Sequence, residues 1–338
     1  MRRRALMGGA TPDKYANYMT IRALENGLVV SIDTTYSEPF YYCIHSEGEW
    51  KTLNHLSSTP SVDAGDAISF KSNREPNASE GIGTFVITKE VALEGNCMSL
   101  LYGDDVEGKP MKLYGFYRLF RYNDKIRYVS KDFLPATVLA AQCYRHMFSN
   151  CTGLTNAPKL PSMNMESYCY NAMFQGCTSL IDAPELPATT LKSDCYMSMF
   201  YGCSSLVNAP ALPAETLAIY CYSSMFYGCS SLVNAPALPA ETLAISCYHS
   251  MFYMCSSLKK APVLPATKLI TQCYNRMFYG CKKLNYIKAM FTTTPSTTYT
   301  TSWVYGVASA GVFVKSKDAT WDVTGESGVP EGWTIKTE

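Results

Sequence analysis

Residues Cys195–Pro213 read CYMSMFYGCSSLVNAPALP, and the chain returns to this frame every 26 residues. The general form is C-Y-x-x-M-F-x-x-C-x-x-L-x-x-A-P-x-L-P. It opens at Cys143, Cys169, Cys195, Cys221, Cys247 and Cys273, with a second cysteine eight residues later at Cys151, Cys177, Cys203, Cys229, Cys255 and Cys281. A fixed period of this length marks a solenoid, in which each unit buries its apolar face only against its neighbours. Such an array offers long exposed surfaces. It does not by itself offer a catalytic cleft.

Within one unit, Cys195, Met199 and Cys203 fall at i, i+4 and i+8, and Tyr196 and Phe200 lie beside them. This spacing predicts a short helix with a broad buried face. Gly202, Gly228 and Gly280 sit where such a helix would end. Two prolines then exclude helix from Ser205 to Pro213. Leu206, Ala209 and Leu212 are read as inward on a brief strand, with Val207 and Asn208 outward. Pro210 has no N–H for a ladder, which limits the strand to about three to five residues. Stacked strands about 4.8 Å apart would form a parallel sheet.

A degenerate unit, Phe116 to Pro135, comes first. Leu119 and Phe120 occupy its Met-Phe slot, and Asn123 replaces the second cysteine. The last unit decays after Leu284, so seven coils with atypical ends are expected. Ser204–Ile219 is identical to Ser230–Ile245, which points to recent duplication and an adjustable repeat number.

The recurring C-Y-x-x-M-F-x-G-C-x-S-L-x-x-A-P-x-L-P resembles the BspA-type leucine-rich repeats of gut Bacteroidetes proteins and their phages, over about Phe116 to Phe291. The flanks Glu94–Asp105 (EGNCMSLLYGDD) and Trp303–Thr334 resemble proteins of the same group. The resemblance implies a binding or adhesion role on a cell or virion surface. It supplies no ligand.

The 338 residues are 47% apolar with net charge +1, enough for a sizeable core and too little charge for nucleic acid to be the main partner. No run of 18 apolar residues occurs, so no membrane span is expected. Arg2, Arg3 and Arg4 are followed by an apolar stretch too short for an export signal, and residues 1–13 are read as a basic tail. Residues 14–112 read as a β-rich, sandwich-like domain, with strands at Met19–Leu24, Leu28–Ile32, Phe40–Ile44, Ala67–Ser72 and Gly83–Ile87. Glu25-Asn26-Gly27 signals a hairpin. Residues 113–291 are the leucine-rich-repeat-like solenoid. Residues 292–338 are a β-rich cap whose first part, Thr292–Ser302, reads as a loop. The expected fold class is therefore an α+β repeat solenoid with a β-sandwich-like N-terminal domain and a β-rich C-terminal cap.

Fourteen cysteines call for a reason. The spacing between paired cysteines does not fit structural zinc, and the chain has four histidines. Cysteines eight apart on one helix would lie about 12 Å apart, beyond bridging. Equivalent cysteines in adjacent coils would be about 5 Å apart, which permits a bridge. Free, buried thiols are expected, because a chain with no export signal folds in a reducing compartment. Gly103-Asp104-Asp105 could touch calcium or simply form a turn.

Two outward columns are candidate binding surfaces. One is Tyr201, Tyr227, Tyr253 and Tyr279, suited to sugar or protein contacts. The other is Asn156, Asp182, Asn208, Asn234 and Lys260 on the strand face. The tyrosine edge is preferred, because it brings apolar area and a hydroxyl at small entropic cost. No nucleophile elbow, phosphate loop or H-E-x-x-H is present, so no catalytic residue, cofactor or metal is expected. The expected role is a non-enzymatic surface binder. It is read first as a phage virion component contacting host surface or gut glycan, then as a bacterial cell-surface adhesin, then as a structural spacer. Expected partners are other virion or surface proteins through the N-terminal domain and a host-surface glycan or protein through the solenoid. A homo-oligomer is expected.

Overall fold

The computed structural model describes residues 13–35 and 37–338. The expected basic tail therefore lies outside the described residues, apart from Asp13. In chain order the elements are β1 Met19–Ala23, β2 Val30–Asp33, β3 Phe40–Ile44, β4 Trp50–Leu53, β5 Ala67–Lys71, β6 Thr84–Ile87, β7 Val91–Glu94, α1 Ser99–Tyr102, β8 Ile126–Val129, β9 Val263–Leu264, β10 Tyr286–Ala289, α2 Thr297–Thr300, β11 Val312–Lys315 and β12 Thr334–Thr337.

The N-terminal segment is one six-stranded sheet, ordered β4-β3-β5-β1-β7-β8, and a separate β2-β6 ribbon. The expected sandwich is not clearly formed, since the second sheet is only this two-stranded ribbon. Phe85 of β6 packs edge-on to Phe40 of β3 and Phe70 of β5, at 5.8 and 5.2 Å between ring centroids. The hairpin expected at Asn26-Gly27 does not form. β1 pairs with β5 and β7, while β2 pairs with β6. β1 is nearly all buried, and a buried strand needs a partner on both edges. The turn at Gly27 remains, with φ +80°. β8 belongs to the degenerate first unit and pairs in parallel with β7, so the sheet runs directly into the repeats.

The expected helix is absent from the regular repeats. A buried period of four suggests a helical face, but an α-helix turns every 3.6 residues and drifts off a strict period of four. The chain instead forms a ribbon of overlapping turns, with a left-handed residue at every fourth position. In the third regular unit these are Asp194, Ser198 and Gly202, at φ +59°, +55° and +72°. The N–H groups of Cys195, Met197, Met199, Tyr201 and Cys203 donate to carbonyls three residues back, at 3.0–3.3 Å. Those of Asp194, Tyr196, Ser198, Phe200 and Gly202 donate to Ile219, Cys221, Ser223, Met225 and Tyr227 of the next coil, at 2.7–3.1 Å. Every ribbon N–H is thus satisfied, half within the coil and half between coils. A helix would have kept those bonds to itself. Gly202, Gly228 and Gly280 are left-handed ribbon positions, not helix caps.

The ribbon turns two residues in and two out, so the burial expected from sequence still holds. Met147, Met173, Met199, Met225, Met251 and Met277 are all fully buried. Phe148 to Phe278 stack in a column at 5.6–5.8 Å. Tyr144 to Tyr274 stack beside them at 5.6–5.9 Å. All fourteen cysteines are unbridged and buried. The second cysteine of each unit has a specific task. Cys177, Cys203, Cys229, Cys255 and Cys281 each donate Sγ–H to the phenylalanine carbonyl of the preceding coil, at 3.0–3.1 Å. A small apolar side chain with one weak donor fits this slot.

The expected strands of the S-L-x-x-A-P segment shrink to single parallel bridges, Asp182–Asn208, Asn208–Asn234 and Asn234–Lys260. Pro210 and Pro213 and their equivalents remove the N–H groups that a longer ladder needs. A longer ladder appears in the parallel sheet β12-β11-β10-β9, whose strands β10, β11 and β12 contain no proline and whose two-residue β9 sits between Pro262 and Pro265.

Thr292–Ser302 is not simply a loop. It holds α2, and the chain then builds an eighth coil. Tyr274, Arg276, Phe278 and Gly280 donate to Tyr299, Thr301, Trp303 and Tyr305, the same cross-coil register as before, while Gln272 donates one residue further on, to Thr298. Trp303, wholly buried, fills the methionine slot, and its Nε1 donates to the Gly328 carbonyl at 2.8 Å. The described residues are thus mostly β, with leucine-rich-repeat-like units and two single-turn helices among them.

Candidate functional site

The outward positions of the ribbon carry the first candidate column. Tyr201, Tyr227, Tyr253 and Tyr279 occupy the same slot in successive coils and stack face to face at 4.3, 4.4 and 4.6 Å, tilted by 10° or less. A fifth ring, Tyr305, extends the column at 4.7 Å. Sequence reading missed it, although it lies 26 residues after Tyr279 in Trp303-Val304-Tyr305-Gly306.

This packing changes what the column can offer. Rings at these separations cover each other's faces. A ligand therefore meets a row of ring edges and hydroxyls. Burial, followed by the flanking Tyr201 and Tyr253, pushes the Tyr227 hydroxyl up to about 12. Tyr227 stays protonated at neutral pH, so its hydroxyl can donate and accept.

The strand-face column is less uniform. Asn156 is engaged internally: its Oδ1 accepts from the Val129 N–H at 3.1 Å and its Nδ2 donates to the Val129 carbonyl at 2.7 Å. It completes the edge of β8. Asp182, Asn208, Asn234 and Lys260 are exposed and joined by the single bridges. Lys260 Nζ lies 4.8 Å above the Tyr286 ring. Ile181 and Val207, immediately before Asp182 and Asn208, are also exposed. The two columns lie on different segments of each coil.

Asp104, in the turn considered for calcium, accepts from the Tyr18 hydroxyl at 2.7 Å and from Lys71 Nζ at 2.8 Å. The chain's own cation holds it. Among the described residues no group of three or more His, Cys, Asp and Glu side chains is placed to hold a metal ion. No helix among them is long and apolar enough to cross a membrane.

No curated protein and no solved structure matches this chain. The BspA type leucine-rich-repeat region does match, in six copies, over residues 134–232 and 195–302. The match covers the cysteine-bearing coils and reaches the start of the eighth. It spans half of the chain. On that match the chain belongs to the BspA-type leucine-rich-repeat family.

Proposed function

We propose that this chain is a non-enzymatic binding protein of a cell or particle surface, and that its coils form a solenoid whose outward side chains engage a glycan or protein. One observation carries the reading. The shared residues of each repeat are buried, whereas the outward slots form an open hydroxyl row with a ring spacing of 4.3–4.7 Å. A ligand that follows the row gains a small, similar contribution from each coil it engages. Family membership supports a surface or binding role. It does not distinguish virion from cell surface, and no observation supports the narrower assignment to a phage.

The stacked rings dictate the test. Changing tyrosine to serine would remove the stack along with the hydroxyls. The triple change Tyr201→Phe, Tyr227→Phe and Tyr253→Phe keeps the stack and removes the row of donors. Binding to a glycan array or to intact cells is expected to weaken by about tenfold or more, at roughly 1 kcal/mol per hydrogen bond, with the melting temperature little changed. Undiminished binding would exclude the hydroxyl row. Loss on changing Asn208 and Asn234 to Ala instead would move the site to the strand face.

A further inference from the structure

The same outer ribbon face begins, at its N-terminal end, with cations. Arg118 and Arg121 lie in the first coil, and Arg145 and His146 in the second. The cross-coil bonds Arg118 N–H to Arg145 carbonyl and Tyr122 N–H to Ser149 carbonyl fix their register. Arg118 heads the column that continues through His146, Ala172, Ser198 and Ser224. Arg121 heads the column that becomes the tyrosine row.

The three guanidiniums lie over tyrosine rings. The Arg118 and Arg121 carbons are each 4.5 Å from the ring centroids of Tyr117 and Tyr122. The Arg145 carbon is 5.9 Å from that of Tyr117 and 5.4 Å from that of Tyr168. Arg22 and Arg127 of this chain each hold a glutamate, but none of these three arginines forms an ion pair among the described residues. Their buried Nε atoms, and Nδ1 of His146, have no hydrogen-bond partner. Arg145 Nη1 donates to Gln142 Oε1 at 2.8 Å, a neutral acceptor. Asp194, which also feels the charge of Arg145, is engaged by the Tyr168 hydroxyl. Burial, then the nearby Arg145, Arg121 and Arg118, holds the His146 imidazole down to about 4, so the three positive charges converge on one uncharged ring. Half-buried guanidiniums with no carboxylate in ion-pair contact are completed by an anion that reaches their outer Nη groups.

We propose that Arg118, Arg121 and Arg145 bind the sulfate or carboxylate groups of an acidic polysaccharide whose chain then runs along the serine and tyrosine-hydroxyl columns. This inference rests on the reading of the outer face as a glycan-binding surface. A polysaccharide fits better than an acidic peptide. The ribbon's N–H groups are used up within and between coils, so a peptide finds no open strand edge to extend. The track beyond the arginines offers hydroxyls and ring edges.

The test compares the full-length chain with two triple variants of equal charge change. One is R118Q, R121Q and R145Q. The other, K259Q, K282Q and K283Q, removes exposed cations elsewhere on the array. Binding to heparin, hyaluronate, neutral dextran and poly-glutamate is measured at about 150 mM salt, where the screening length is about 8 Å. Heparin or hyaluronate is expected to bind, and the arginine variant to lose about tenfold or more while the lysine variant keeps its affinity. A melting curve confirms that the arginine variant is folded. Should it not fold, arginine-to-lysine changes at the same sites replace it, with partial loss expected because lysine lacks the forked donors. Equal losses in both triple variants would overturn the inference by showing non-specific attraction. Equal or tighter binding of poly-glutamate would overturn it in favour of a protein partner. Dextran bound and both acidic glycans refused would overturn this inference alone. No glycan bound would overturn it together with the glycan reading of the array.

Discussion

Between pH 9 and about 11 the repeat array is expected to unfold, with its sensitivity set by the thiol columns. Burial pushes Cys169, Cys203 and Cys221 up to about 12 and Cys273 to about 11, against an ordinary 9.0. Cys177, Cys229 and Cys255 are raised further by burial and by adjacent thiols in their own column. The folded state thus holds these protons above the pH at which the unfolded chain releases them. The stabilisation is complete below pH 9 and is lost progressively as pH climbs toward the folded value. Each such thiol costs roughly 1 kcal/mol per pH unit in that window. A total stability of about 5–15 kcal/mol is overtaken when several act together. Urea melts of the reduced protein at pH values from about 7.5 to 10.5 check this. A midpoint unchanged up to pH 10.5 would mean that the thiols are not buried as described.

Phe226→Ala is expected to destabilise the array by about 3–5 kcal/mol. Phe226 is wholly buried and stacks on Phe200 and Phe252 at 5.7 and 5.6 Å. Its removal opens a gap between two coils, and neither neighbour can close it without leaving its own column. Met225→Ala, in the adjacent buried slot, should cost about 2–5 kcal/mol. Guanidinium melts of both variants beside the parent decide the matter. An unchanged midpoint for Phe226→Ala would show that the column is not the core.

The period and the buried set of the regular repeats were legible in the sequence, because burial leaves a chemical trace at fixed spacing. The backbone conformation was not. Cys195, Met199 and Cys203 face inward on either a helix or a turn ribbon, and spacing alone does not separate the two. The separating signal was the tolerated residues. Ser198, Ser224 and Ser250 take left-handed φ values where no glycine announces them. The eighth coil was hidden because Trp303 and Val304 replace Met-Phe, so the register survived while its residue types changed. The N-terminal pairing was obscured because a turn signal such as Asn26-Gly27 reports a local bend and not which strands meet. At the candidate site, sequence placed the tyrosines in one column. That their faces cover one another depends on the coil spacing, which no residue type encodes.

The alternation of N–H bonds along the ribbon also has a mechanical consequence. In the regular repeats each coil is fastened to its neighbours by the ribbon's row of backbone bonds and by a few bonds on the strand side. Tension applied between the two ends of the chain therefore has no single bond set to break. Coils detach singly from an end, and each frees 26 residues, about 90 Å of slack at full extension. An array fastened in this way lengthens under load in steps of one coil.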